Sequence, residues 1–315
     1  MRNVGWRHPD ASGTVGGMTR FAVPSRTPTA LAFPALAVLL LLTGCAGQPG
    51  GGPSGPNPDA PPMIGTPADG ESEAIGLVNL WRVSGAAGET DSTWLRLDAG
   101  EFQLWRDCGM ITGSWRASDT LFIAAPFGGM GDCVTNTMPT VFWLESATGF
   151  TVSPEGYDLV DATGTTVASL SIDGGPEPIP TAAEFYAQPP ELTVQVRDYF
   201  HAAATLPSGL SPATDAALDG KWVPVAHAVS TDPHVVFASD GTWTGSDGCN
   251  GGQGRWAVGR DGEFLATSGP STLIACEGAP VPAWVGQAAT AGIDADGRLL
   301  LFETAGNEVG RLARG

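Results

Sequence analysis

Cys108, Cys133, Cys249 and Cys276 are the side chains whose type and spacing narrow the chemistry most. Four thiols can hold zinc or form two disulfides in one of three connectivities. A zinc site needs clustered ligands, usually with His, whereas His201, His227 and His234 lie in or near the second half and have no counterparts in the first. Other candidates are weaker. The carboxylate turns Asp240-Gly241 and Asp294-Ala295-Asp296-Gly297 invite calcium, but the Asp-x-Asp-x-Asp-Gly loop with a distal Glu is absent, and Asp-Gly is ordinary hairpin chemistry. There is no Gly-x-Ser-x-Gly elbow and no His-Glu-x-x-His. No catalytic residue, metal ligand or cofactor site is therefore expected, although paired carboxylates for glycoside hydrolysis meet only in a fold.

A duplication frames these residues. Cys108, Gly113 and Trp115 recur as Cys249, Gly254 and Trp256 at an offset of 141, which also relates Leu77 to Leu218, Trp81 to Trp222, Gly100 to Gly241, Trp143 to Trp284 and Leu159 to Leu300. The first copy turns through Ser118-Asp119 and the second through the longer Gly259-Arg260-Asp261-Gly262, which raises the offset to 143 and relates Cys133 to Cys276. The repeat thus selects Cys108 with Cys133 and Cys249 with Cys276, one bond in each copy.

The N-terminus carries Arg20 and Arg26, an apolar run from Ala30 to Leu42, and then Leu42-Thr43-Gly44-Cys45. That order suits a secretion signal over 1–44, with Met1 or Met18 as the start, and the run is too short to span a bilayer as a helix. Small residues before Cys45 match the lipobox of bacterial lipoproteins, in which the Cys is joined to diacylglycerol. Residues 45–71, rich in Gly and Pro, read as a lipidated Cys and a flexible tether. The segment before Cys45 holds Arg2, Arg7, Arg20, Arg26 and Asp10, so the formal charge of −18 becomes −21 without it. A field of that sign excludes nucleic acid as a partner and disfavours docking on anionic lipid.

Within the copies the patterns are β. Trp94 to Leu97 and Phe102 to Trp105 alternate around Asp98-Ala99-Gly100, as do Val235 to Phe237 and Thr242 to Thr244 around Ser239-Asp240-Gly241. Six or seven short strands in each copy predict a mainly β fold of two small antiparallel barrel-like domains, at 72–173 and 217–315. Short helical turns are expected near Pro139 to Leu144 and Pro282 to Ala291. The Pro-rich linker 174–216 carries one amphipathic helix, Glu191 to Ala204, with Leu192, Val196, Tyr199, Phe200 and Ala203 on its stripe.

Leu218-Asp219-Gly220-Lys221-Trp222, Gly248-Cys249-Asn250, Thr272-Leu273-Ile274-Ala275-Cys276 and Gly297-Arg298-Leu299-Leu300-Leu301 together resemble the META domain of HslJ-like bacterial lipoproteins. The resemblance covers Leu218 to Gly315. The first copy reads Asp107-Cys108-Gly109 and Gly131-Asp132-Cys133 at the motif positions and joins the family only through the repeat. It implies a small β barrel-like fold, an envelope location linked to stress tolerance, and no known reaction. The expectation is a non-catalytic envelope lipoprotein on the extracytoplasmic face, held to the membrane through Cys45, with an envelope protein or glycan as partner. The alternative is a glycan-binding or glycan-hydrolysing protein. The repeated Trp81, Trp115 and Trp143 read as core, while Trp105 is the candidate for an exposed sugar platform.

Overall fold

The computed structural model describes residues 64–134, 140–177, 182–226, 231–275 and 277–315. Cys45, the expected signal, most of the tether, His227 and Cys276 lie outside the described residues. The protein is mainly β, with two antiparallel sheets.

The first sheet contains β1 (Asn79–Ser84), β2 (Trp94–Leu97), β3 (Glu101–Arg106), β4 (Gly109–Ala117), β5 (Phe122–Gly131), β6 (Ala147–Ser153), β7 (Gly156–Asp161) and β8 (Thr166–Ser171), in the order β5-β4-β3-β2-β1-β8-β7-β6. The second contains β9 (Ser211–Pro212), β10 (Gly220–Pro224), β11 (His234–Phe237), β12 (Thr242–Ser246), β13 (Gly251–Val258), β14 (Phe264–Ala266), β15 (Thr290–Ile293), β16 (Leu299–Phe302) and β17 (Glu308–Arg314). Its order, β14-β13-β12-β11-β10-β17-β16-β15, repeats the first sheet strand for strand, with β9 added at the edge. Single bridges join the entry of β5 to β6, at Leu121 and Gly149, and the entry of β14 to β15, at Glu263 and Thr290. The helices are short: α1 (Phe142–Ser146), α2 (Val194–Tyr199), α3 (Asp215–Leu218) and α4 (Val281–Gln287).

The repeated residues build the same local contacts twice. Trp81 and Trp222 each donate their indole N–H to the carbonyl four residues earlier, Leu77 and Leu218, at 2.7 Å. The backbone N–H groups of Trp115 and Trp256 reach Gly100 and Gly241, whose φ angles of 75° and 78° suit a residue without Cβ. All four Trp are buried, in two separate hydrophobic cores.

The strands number eight in each repeated set rather than six or seven. β1 escapes an alternation test because Leu80 and Trp81, on opposite faces, are both buried. The outer face at Leu80 is covered by the linker: Ala182, Tyr186 and Ala187 pack over Leu80, Trp94, Trp105 and Met110. Trp105 is therefore 3% exposed, which removes it as a sugar platform. Arg96, also buried, fastens this cover by donating from Nε to the carbonyl of Gln188 at 3.0 Å and from Nη1 to Gln103 at 3.0 Å, while it pairs with Asp98 at 2.9 Å.

The expected helix from Glu191 to Ala204 is only α2. Thr193 caps it by accepting from the Val196 N–H, and the chain leaves helical geometry at Phe200. Backbone pairing takes over: Ser72 donates to Phe200, and Ala202 to Gly70. Val196 and Phe200 enter the first core, Ala213 enters the second, and β9 pairs with β15. The connector is thus sewn to both sheets. Residues 64–71, assigned above to the tether, are packed as well, for Ile64 lies against the first core and Glu71 pairs with Arg197 at 2.9 Å.

Candidate functional site

The motif Gly248-Cys249-Asn250 occupies the turn between β12 and β13. Gly248 has φ of 108°, and a Cβ there would collide with the Thr231 side chain. Asp247 Oδ1 accepts from the N–H groups of Cys249 at 2.8 Å and Asn250 at 2.6 Å. Burial opposes charge on Asp247, but these donors and the Asn250 amide outweigh it and hold its carboxyl below the usual range.

Asn250 Nδ2 donates to Asp247 at 2.9 Å and to the Ile274 carbonyl at 2.8 Å. Its Oδ1 accepts from Thr272 Oγ1 at 2.7 Å and from the Ile274 N–H at 2.6 Å. Its amide is fully engaged in holding 272–274, which leaves no group free for chemistry. Cys249 is disulfide-bonded, while its expected partner Cys276 lies outside the described residues. In the first copy Cys108 is bonded to Cys133, with Cα atoms 4.9 Å apart.

The carboxylate turns are similarly occupied. Asp240 Oδ1 accepts from the Thr242 hydroxyl and N–H, which lowers its pKa, and Asp294 Oδ1 accepts from the N–H groups of Asp296 and Arg298. Among the described residues no group of three or more Cys, His, Asp or Glu is arranged to hold a metal, and no helix is long and apolar enough to cross a membrane. His201 and His234 are not brought together; each approaches a backbone carbonyl, of Gly70 and Asp232 respectively.

A cleft of 420 Å³ lies where the two sheets and the connector meet. Equivalent turns of the two copies face each other across it: Ser118 to Thr120 after β4, and Arg260 to Glu263 after β13. Thr120 Oγ1 donates to Glu263 Oε2 at 3.2 Å, and Arg116 Nη1 donates to the Gly286 carbonyl at 2.6 Å. The connector supplies Tyr199, over whose ring the Arg116 guanidinium lies at 5.6 Å. Partial burial raises the Tyr199 pKa, and Arg116 opposes that shift.

Two features set the cleft apart from the satisfied turns. Thr290, 5% exposed, is one of its lining residues, and its hydroxyl is enclosed in the wall with no hydrogen-bond partner. Arg260 is exposed there and has no ion pair or side-chain hydrogen bond within the described residues. None of these residues stood out in the sequence. The one signal was the interruption of the repeat, since the longer turn Gly259-Arg260-Asp261-Gly262 is what places Arg260 at the cleft. Compared with known proteins, the chain matches no family model, and no curated protein or solved structure is significantly similar to it.

Proposed function

We propose that this chain is a membrane-anchored extracytoplasmic lipoprotein of META type, a non-catalytic module that binds an envelope component in the cleft between its two copies. The observation that carries the reading is the contrast between the motif and the cleft. Asp247, Cys249 and Asn250 are consumed in holding a loop, whereas the junction retains the Thr290 hydroxyl and the Arg260 guanidinium without partners. A concave junction between two domains is a common location for a small-ligand site. The envelope address rests on the signal-like N-terminus, Cys45 and the resemblance of Leu218 to Gly315. The diacylglyceryl group would supply the membrane attachment.

The test is retention of the full chain carrying Cys45→Ala, which has no acyl anchor, by isolated cell-envelope fractions, set against the same chain with R260Q. Arg260 is exposed on a turn, so its replacement leaves the cores untouched. Retention that falls in R260Q is the expected result. Failure of the Cys45→Ala chain to be retained at any ionic strength would overturn the reading.

A further inference from the structure

We infer that the cleft between the copies is a saccharide-binding site, taking an uncharged, polyhydroxylated chain; this rests on the binding-module reading and names its ligand class. Donors and acceptors line the cleft together: the guanidinium groups of Arg116 and Arg260 stand among the carboxylates of Asp119, Asp261 and Glu263. No one sign dominates, so a phosphate would meet carboxylates and a polycation would meet guanidinium groups. Sugar hydroxyls, which donate and accept, can use both.

Thr290 also lines the cleft, with its hydroxyl enclosed in the wall behind this lining and without a partner. Tyr199 is 41% exposed and gives an aromatic surface beside Arg116, the kind of apolar patch on which a sugar ring packs. The cleft volume of 420 Å³ falls within the range of about 300–1,000 Å³ typical of small-ligand sites. The formal charge of −18 argues against acidic glycans as the preferred class.

Calorimetric titration of the full chain, in a sugar-free zwitterionic detergent, tests the site with malto-, cello- and chitohexaose as neutral probes and an oligogalacturonate as the acidic comparator. The expected result is binding of at least one neutral probe, weakened about tenfold or more by R260Q, as expected for loss of a charged hydrogen bond. The inference is overturned if no neutral probe binds, if R260Q does not weaken binding, or if the oligogalacturonate binds more tightly. Envelope retention is measured in parallel on the Cys45→Ala chain. Retention without probe binding sinks the saccharide assignment alone, whereas probe binding without retention sinks the envelope reading alone. Hydrolysis of a bound probe would uphold the site and overturn its non-catalytic character.

Discussion

The side-chain amide of Asn250 pairs with both the N–H and the carbonyl of Ile274, as a neighbouring strand would. The repeat offsets of 141 and 143 map these two residues onto Gly109 and Gly131, which pair directly through the backbone ladder of β4 and β5. In the second copy β14 stops at Ala266 and backbone bonds to β13 continue only through Thr267 and Gly269, so the pairing that the first copy carries to Gly131 is not reached at Ile274. Asn250 replaces it with one side chain. The motif residue is thereby explained as a structural clamp, and its absence from the first copy follows from the intact ladder.

Asn250→Ala should destabilise the protein by about 2–3 kcal/mol, because it removes four hydrogen bonds of roughly 1 kcal/mol each while water repairs part of the loss. Denaturant titration gives the magnitude. Hydrogen exchange should show faster exchange at Ile274 while the cores stay protected. Unchanged exchange there would contradict the clamp.

Removing the Cys108 to Cys133 disulfide should cost roughly 3–4 kcal/mol, the entropy that the bond removes from an unfolded loop of this length. Loss of the Cys249 bond should cost about as much, because its expected loop to Cys276 is of nearly the same length. Paired Cys→Ser variants compared by thermal denaturation check both costs, and non-reducing peptide mapping should recover Cys276 as the partner of Cys249.

Arg96→Met should free the linker from the outer face of the first sheet. The substitution removes a buried cation whose partners Asp98, Gln103 and Gln188 then lose their donor, and breaking such a pair typically costs about 3–5 kcal/mol. Trp94 and Trp105 should become accessible to an aqueous fluorescence quencher before global unfolding.

Acid should weaken the attachment of residues 64–71. The Ala68 N–H, against an opposing cost of burial, and then Arg197 hold the Glu71 carboxyl below its ordinary value of 4.5. Because the folded pKa is the lower one, this stabilisation is fully present above the ordinary value and is lost as pH falls through the folded one. Stability measured against pH should fall less steeply below about pH 5 in E71Q than in the wild type.

The proposed anchor has its own test. Cys45→Ala should abolish metabolic incorporation of fatty acid and release the chain from membrane fractions; acylation that survives the change would exclude Cys45 as the attachment point.

The sequence by itself determined the β class, the hairpin turns at Gly100 and Gly241, and the pairing of Cys108 with Cys133. Turn glycines and alternation are local consequences of backbone geometry, and a duplication shows its equivalent positions by spacing. Only the tertiary structure decided what covers each face. Trp105 lies on an alternating strand that read as open to solvent on one side, but the linker, distant in sequence, packs across it. The amphipathic stripe from Leu192 to Ala203 promised a longer helix than α2, because backbone pairing with Gly70 and Ser72 competes for its C-terminal half. The cleft was equally hidden: Arg116, Tyr199, Arg260 and Thr290 belong to four separate stretches, and no local rule predicts that two copies of one turn will face each other.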